Sequence, residues 1–226
     1  MYVFLKRAID LTLSLLALIV LSPLFIAVMI ILRLTGERKV FFKQERVGYR
    51  NIKIKLWKFV TMMEGSEKGS TITAKNDPRI LPMGKILRKT KFNEIPQLIN
   101  IIRGDISIVG PRPQTQECFD CYPEELRYQV YDSKPGLTGI GSVIFRMEDE
   151  ITGNSSKGKK ECYREDIMPV KGELELWYTR NKSLYVDSKI ILLTAIVIFF
   201  PKSKKPYRLL KGLPISENYI NDIIKK

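Results

Sequence analysis

Residues Arg88 to Pro113 read R-K-T-K-F-N-E-I-P-Q-L-I-N-I-I-R-G-D-I-S-I-V-G-P-R-P, and these types at this spacing suit binding of a phosphate or a metal-bound phosphate. Pro96 can sit in the first turn of a helix, Ile95, Leu98, Ile99 and Ile102 recur at helical spacing, and Gly104 supplies a stop. Asn93 and Glu94 then stand at a helix N-terminus, where unpaired N–H groups and about half a unit of positive charge attract an anion. Arg88 precedes this end, and Arg112 follows it inside Gly110-Pro111-Arg112-Pro113. Flanking prolines restrict the backbone and aim one guanidinium, which suits a pair of phosphate oxygens. A purely structural reading fits the spacing equally: Asn93 as N-cap, Glu94 as a dipole-friendly first-turn residue, and Pro-Arg-Pro as a surface turn.

The elements that must hold these groups follow from patterning. Ile52, Ile54 and Leu56 alternate in I-K-I-K-L-W, which argues a half-buried strand, and Gly48 marks a turn after V-F-F-K-Q-E-R-V. Glu64 to Asp77 is polar and reads as a loop, closed by Asp77-Pro78-Arg79 before a helix around Met83 to Lys89. Glu117 to Tyr131 reads as helical. Lys134-Pro135-Gly136-Leu137-Thr138-Gly139 reads as a glycine turn, either an ordinary one or one in which backbone approaches a ligand. The polar stretch Met147 to Met168 is assigned no chemistry. Ile190 to Phe200 is too short to span a membrane and reads as a buried or interfacial helix, with Lys202, Lys204 and Lys205 at headgroup level.

Composition limits the chemistry. The chain has 226 residues, 45% of them hydrophobic, enough for one domain with or without a membrane segment. A net charge of +14 fits nucleic acid, an anionic membrane or a phosphorylated substrate. With no histidine, mechanisms that need an imidazole base or a His-ligated metal are excluded. Cys118, Cys121 and Cys162 are too few for a disulfide framework and read as reduced and structural.

Leu11 to Leu32 carries no charge and is long enough to cross a bilayer. Its length and its internal Ser22-Pro23 do not fit a secretory signal. Lys6 and Arg7 lie before it, and Arg33, Arg38 and Lys39 after it. A plain span leaves one basic cluster on the wrong side. A re-entrant hairpin broken at Ser22-Pro23 returns both clusters to the cytoplasmic face, where they meet anionic headgroups. Both topologies fit the residues.

The Arg88–Pro113 stretch resembles the core of the bacterial sugar transferases, the monotopic phosphoglycosyl transferases. Leu87, Arg88, Glu94, Pro96, Gln97, Leu98, Asn100, Gly104, Asp105, Ser107 and Gly110 to Pro113 match the family pattern in order. Lys6, Arg7, Asp10, Ser22 and Pro23 resemble its re-entrant membrane helix, and Phe41, Phe42, Gln44, Arg46, Gly48, Lys58, Phe59, Thr61 and Met62 match a further block. Two positions depart: Asn93 stands where the family carries its nucleophilic aspartate, and Val60 replaces a usual basic residue.

The resemblance implies an α+β fold in three parts: a re-entrant membrane helix hairpin over 1–38, a mostly helical membrane-associated domain with short strands over 39–206, and a tail over 207–226. It implies transfer of a sugar or phosphosugar from a UDP-sugar to polyprenyl phosphate, at the cytoplasmic face of the bacterial inner membrane, with Mg²⁺ held by Glu94. Asn93 and Glu94 occupy the catalytic positions; Arg88, Arg112, Lys58, Gln97 and Glu175 are the phosphate- and substrate-binding expectations. A carboxamide lacks the anionic oxygen of a covalent nucleophile, so a non-standard mechanism is expected. The alternative is a non-catalytic relative that binds nucleotide sugar or carrier lipid, or scaffolds pathway enzymes. Membrane lipid is an expected partner, nucleic acid is not, and a homodimer stays open.

Overall fold

The structure is a computed structural model describing residues 1–66, 77–146, 148–156, 158–200, 203 and 205–215. Most of the expected Glu64–Asp77 loop, together with Lys202 and Lys204, lies outside them. The apolar N-terminal run forms α1, Tyr2–Leu34, a 33-residue helix that stays helical through Ser22-Pro23. The break expected there is therefore not an interruption of secondary structure; the Ser22 hydroxyl donates to the Ile19 carbonyl at 2.8 Å, within the turn before the proline.

The basic cluster at the start of α1 is engaged by protein. Lys6 pairs with Asp187 at 2.7 Å, and Tyr2 donates to the same carboxylate at 3.0 Å. Arg7 donates to the carbonyls of Ile101 and Ile102 at 2.6 and 2.7 Å, satisfying groups that a helix C-terminus leaves open. Asp10 accepts from the Ser107 hydroxyl at 2.7 Å and the Ile108 amide at 3.0 Å. The expectation that Lys6 and Arg7 face headgroups is corrected: they clamp α1 to the domain. Further along the helix, Leu24, Phe25, Val28, Met29 and Leu32 pack with Phe59 and Leu87.

Strands β1 (Phe41–Val47) and β2 (Lys53–Phe59) form an antiparallel hairpin, with Phe42 opposite Lys58. The turn falls after Gly48 as expected. Helix α2, Pro82–Lys89, sits close under the end of the hairpin, where a Cβ at Gly84 would stand 2.1 Å from the Thr61 carbonyl oxygen. A 3-10 turn, Phe92–Glu94, leads into α3, Gln97–Arg103, which ends at Gly104 in the left-handed region. Asn100 is fully buried in α3 and bonds the Trp57 amide and the Lys55 carbonyl, tying the helix to the edge of β2.

Strand β3, Ser107–Val109, pairs in parallel with β4, Gly136–Thr138. The Lys134–Gly139 glycine turn is thus a strand, and its glycines admit backbone: a Cβ at Gly136 would lie 2.1 Å from the Gly110 nitrogen, and one at Gly139 2.1 Å from the Gly110 oxygen. The Glu117–Tyr131 region is not one helix but two short ones, α4 (Gln116–Phe119) and α5 (Glu124–Arg127), followed by a 3-10 turn. After α6 (Ile140–Ile144) come α7 (Glu148–Asn154) and α8 (Lys159–Cys162), then a π-helical turn. This supposedly inert segment sends Ile151, Cys162 and Ile167 into the main core. Helices α9 (Met168–Asn181) and α10 (Leu184–Phe199) complete that core, and α11 is Lys205–Leu209. Leu210, just after α11, is also buried in this core.

Candidate functional site

Glu94 is the centre of the charge arrangement. Its Oε1 accepts from Arg112 Nη2 at 3.1 Å and faces Lys58 Nζ at 3.9 Å. Burial alone would raise the Glu94 pKa, but Arg112, then Lys58 and Lys91, hold it down at about 2. Lys58 also donates to Gln44 Oε1 at 3.0 Å, and Arg46 donates to the same oxygen from Nη2 at 2.6 Å. Gln44 therefore separates two cations that would otherwise repel at close range. Burial, and then Arg46, push the Lys58 pKa well below the ordinary lysine value.

Arg112 is aimed from behind as well as in front. Its amide donates to Glu175 Oε1 at 3.2 Å, and its carbonyl accepts from the Tyr131 hydroxyl at 2.8 Å. Glu175 is fully buried and its Oε2 has no partner among the described residues; burial raises its pKa to about 7. The close approach of Gly110 to β4 sets this backbone, and a Cβ at Gly141 would meet Glu175 Oε1 at 2.4 Å. Arg88, in the last turn of α2, has Met62 Sδ at 3.8 Å as its polar contact among the described residues. Its charge is unneutralised by any carboxylate there.

These groups share one cavity of about 1470 Å³, which Lys58, Arg88, Asn93, Glu94 and Arg112 all line. Asn93 is buried, with an Oδ1 that lacks a hydrogen-bond partner among the described residues. Of the sequence expectations, Gln97 is buried in α3 and is not among the lining residues, and Glu175 supports the Arg112 backbone rather than lining the cavity. Val60 does line it, placing an apolar side chain at its wall. Sequence reasoning did not single out Gln44 and Arg46 as site residues, nor Arg146, Glu148 and Tyr163 of the 147–168 region and its approach, which also line the cavity. A signal existed for the first two: Phe42, Gln44 and Arg46 alternate on one face of a strand. The others carried none, because their approach depends on how α7 and α8 fold back. Glu148 is held there by Lys171 at 2.5 Å and by the Tyr163 hydroxyl.

The arrangement offers several cations to a diphosphate, the ionised carboxylates of Glu94 and Glu148, and the unpartnered amide oxygen of Asn93. No group of three or more acidic, cysteine or histidine side chains that could hold a metal occurs among the described residues. A model of the bacterial sugar transferases matches residues 1–201.

The chain belongs to the bacterial sugar transferase family.

Its curated relatives within that family agree. It is 30% identical over 196 residues to a UDP-N-acetylgalactosamine-undecaprenyl-phosphate N-acetylgalactosaminephosphotransferase of Aeromonas hydrophila, covering 85% of this chain and 43% of the relative. A UDP-glucose:undecaprenyl-phosphate glucose-1-phosphate transferase of Escherichia coli K12 is 34% identical over 206 residues, covering 88% and 41%. An uncharacterized sugar transferase, EpsL, of Bacillus subtilis is 34% identical over 191 residues, covering 84% and 85%. The chain thus spans less than half the length of the first two and most of the third.

Proposed function

We propose that this protein transfers a phosphosugar from a UDP-sugar to polyprenyl phosphate at the membrane surface, as the names of two relatives suggest. The observation that carries the reading is the cavity itself: Arg88, Lys58 and Arg112 converge on the Asn93-Glu94 pair. Such a site works by positioning and charge stabilisation, which carry most of phosphoryl transfer. Arg112 and Arg88 bind diphosphate oxygens, and Glu94 orients Arg112 and Lys58. Asn93 cannot attack. An oxygen of polyprenyl phosphate attacks the β-phosphorus directly, the bond from that phosphorus to the bridging oxygen breaks, and UMP leaves with the electron pair; the product is a lipid diphosphate sugar. Glu94 is a poor substitute nucleophile, since its Oε1 is engaged by Arg112 and its charge is stabilised.

The donor set fits a Mg²⁺ that arrives with the diphosphate, because that ion accepts one or two protein oxygens plus phosphate. Glu94 and the unpartnered Asn93 Oδ1 are the protein oxygens that would hold it. When bound it would offset phosphate charge.

The membrane reading rests on α1. Only 11% of its most apolar window is buried against the protein. Yet Tyr2, Lys6 and Arg7 near one end and Val28 and Leu32 near the other all touch the same domain. A helix crossing the bilayer would carry its ends to opposite faces, about 30 Å apart across the hydrocarbon. A re-entrant or in-plane helix, with both ends at the cytoplasmic face of the inner membrane, keeps every one of these contacts.

The test is incubation of the purified protein with radiolabelled UDP-sugars, Mg²⁺ and polyprenyl phosphate. Lipid-linked product and UMP should form only when both substrates are present, with sequential kinetics and no covalent adduct. An adduct mapped to Glu94 would replace direct attack by a covalent route, and absence of product with nucleotide-sugar binding intact would favour the non-catalytic reading.

A further inference from the structure

The cavity around Glu94 has a second, apolar end that the phosphate chemistry leaves unexplained. Helices α1 and α10 start from a common anchor, where Lys6 and Tyr2 of one meet Asp187 of the other. Both then pack on β3. Between them the cavity wall is formed by Ala17 and Leu21 of α1, Leu137 of β4, and Ile191, Thr194 and Ile198 of α10. Thr194 contributes little polarity, because its hydroxyl is engaged with Thr138 at 2.7 Å and with the Ile190 carbonyl at 2.7 Å. The outer faces of the same two helices are bare: Ile19 is 69% exposed, Val20 74% and Phe199 78%. One cavity therefore runs from a cationic end to an apolar cleft whose rims carry apolar residues facing outward.

We infer that the cleft between α1 and α10 seats the first isoprene units of the acceptor lipid, with its phosphate reaching Lys58 beside the donor diphosphate held at Arg88 and Arg112. The inference rests on the transferase reading and adds to it where the lipid lies. Three observations favour this occupant. At about 1470 Å³ the cavity exceeds the roughly 300–1000 Å³ that usually holds one small ligand, so it has room for two substrates. Its charge complements a phosphate at one end only, as an amphiphile with a single anionic head requires. And bare apolar surface on both rims gives the remainder of a long chain a way into the bilayer without crossing water. A nucleotide sugar, polar along its whole length, gains nothing from the apolar end.

The test uses the full chain in phospholipid nanodiscs with a polyprenyl phosphate bearing a diazirine near the head group. Crosslinks should map to peptides containing Leu21 and Ile191–Ile198, and unlabelled polyprenyl phosphate should abolish them while equal phosphatidylglycerol does not. Filling the cleft with Leu21→Trp or Thr194→Trp should raise KM for polyprenyl phosphate at least tenfold, with KM for the UDP-sugar within twofold of wild type. Crosslinks confined to outward residues such as Ile19, Val20 and Phe199, competed equally by phosphatidylglycerol, would overturn the cleft, as would turnover by both tryptophan variants at wild-type lipid KM. Specific cleft crosslinking in a protein that makes no product would instead keep the lipid site and remove the transferase reading. The thermal midpoint of each variant, measured alongside, separates a filled cleft from a misfolded chain; should the tryptophans unfold it, the crosslinking map decides alone.

Discussion

Arg112 carries the clearest prediction at the scale of single residues. Its guanidinium engages Glu94 in front, while its backbone is held by Glu175 and Tyr131 behind. Arg112→Ala removes only the front contact and leaves the backbone bonds, and the lost pair is partly open to the cavity, with the arginine side chain 30% exposed. UDP-sugar affinity measured by calorimetry should fall about a hundredfold or more, close to 3 kcal/mol, with the thermal midpoint shifting by only a few degrees. A midpoint loss as large as that of a core truncation would make Arg112 structural. Glu175 makes the opposite kind of claim. Its folded pKa of about 7 lies above the unfolded carboxylate value, so its contribution to stability is fully present at low pH. That contribution is lost as pH rises from about 4.5 through 7. Glu175→Gln should flatten the stability-versus-pH curve across this window in urea titrations, relative to wild type. Equal slopes in the two proteins would show that Glu175 titrates normally. Glu94 does not confuse the measurement, since its depressed value moves its own effect to about pH 2–4.5.

At the scale of elements, the docking of α1 depends on a few polar contacts along an otherwise apolar helix. Asp10 is 5% exposed and holds both the Ser107 hydroxyl and the Ile108 amide at the start of β3. Asp10→Ala leaves two buried donors unpaired, which costs about 2–4 kcal/mol. Asp10→Asn keeps an acceptor oxygen and should cost less than half as much. Both are measurable by thermal melting in detergent; equal losses would mean that charge, not hydrogen bonding, locks the helix. The effect should reach activity, because β3 runs directly into the Gly-Pro-Arg-Pro segment that carries Arg112.

The whole-molecule prediction is topological. Both ends of α1 sit on one domain, and the exposed apolar face of the helix runs between them. A cysteine appended before Met1 and a separate Arg38→Cys should both resist a membrane-impermeant thiol reagent in intact cells and react after permeabilisation. The native cysteines are buried and add little background. Labelling of the N-terminal cysteine alone in intact cells would establish a span. Pro23→Ala, which restores an interior amide donor to α1, should shift the protein toward that labelled state if the proline bends the helix.

Much of this was open to reading in the chain. The strand alternation at Ile52, Ile54 and Leu56, the turn at Gly48, the helix start near Pro96 and its stop at Gly104 are consequences of local dihedral preference and side-chain period, which act over a few residues. The Arg88–Pro113 types pointed to one cluster for a related reason, since a Pro-flanked arginine is a short-range device, and Arg88, Glu94 and Arg112 do line one cavity, although Asn93 and Glu94 lie in a 3-10 turn ahead of α3 rather than at its N-terminus. Partnership is a different matter, since it is set by where remote segments meet. Nothing local told that Lys6 and Arg7 would bond Asp187 and the end of α3 rather than lipid, or that the glycines of Lys134–Gly139 would admit a neighbouring strand rather than a ligand. Nor could local pattern tell that Gln97 is buried without lining the cavity while Gln44 and Glu148, far apart in sequence, converge on it. Periodicity names the buried face of an element but not the neighbour that buries it. That choice belongs to the packing of the whole chain, and here it turned a membrane-facing basic cluster into a clamp and an inert-looking segment into part of the cavity wall.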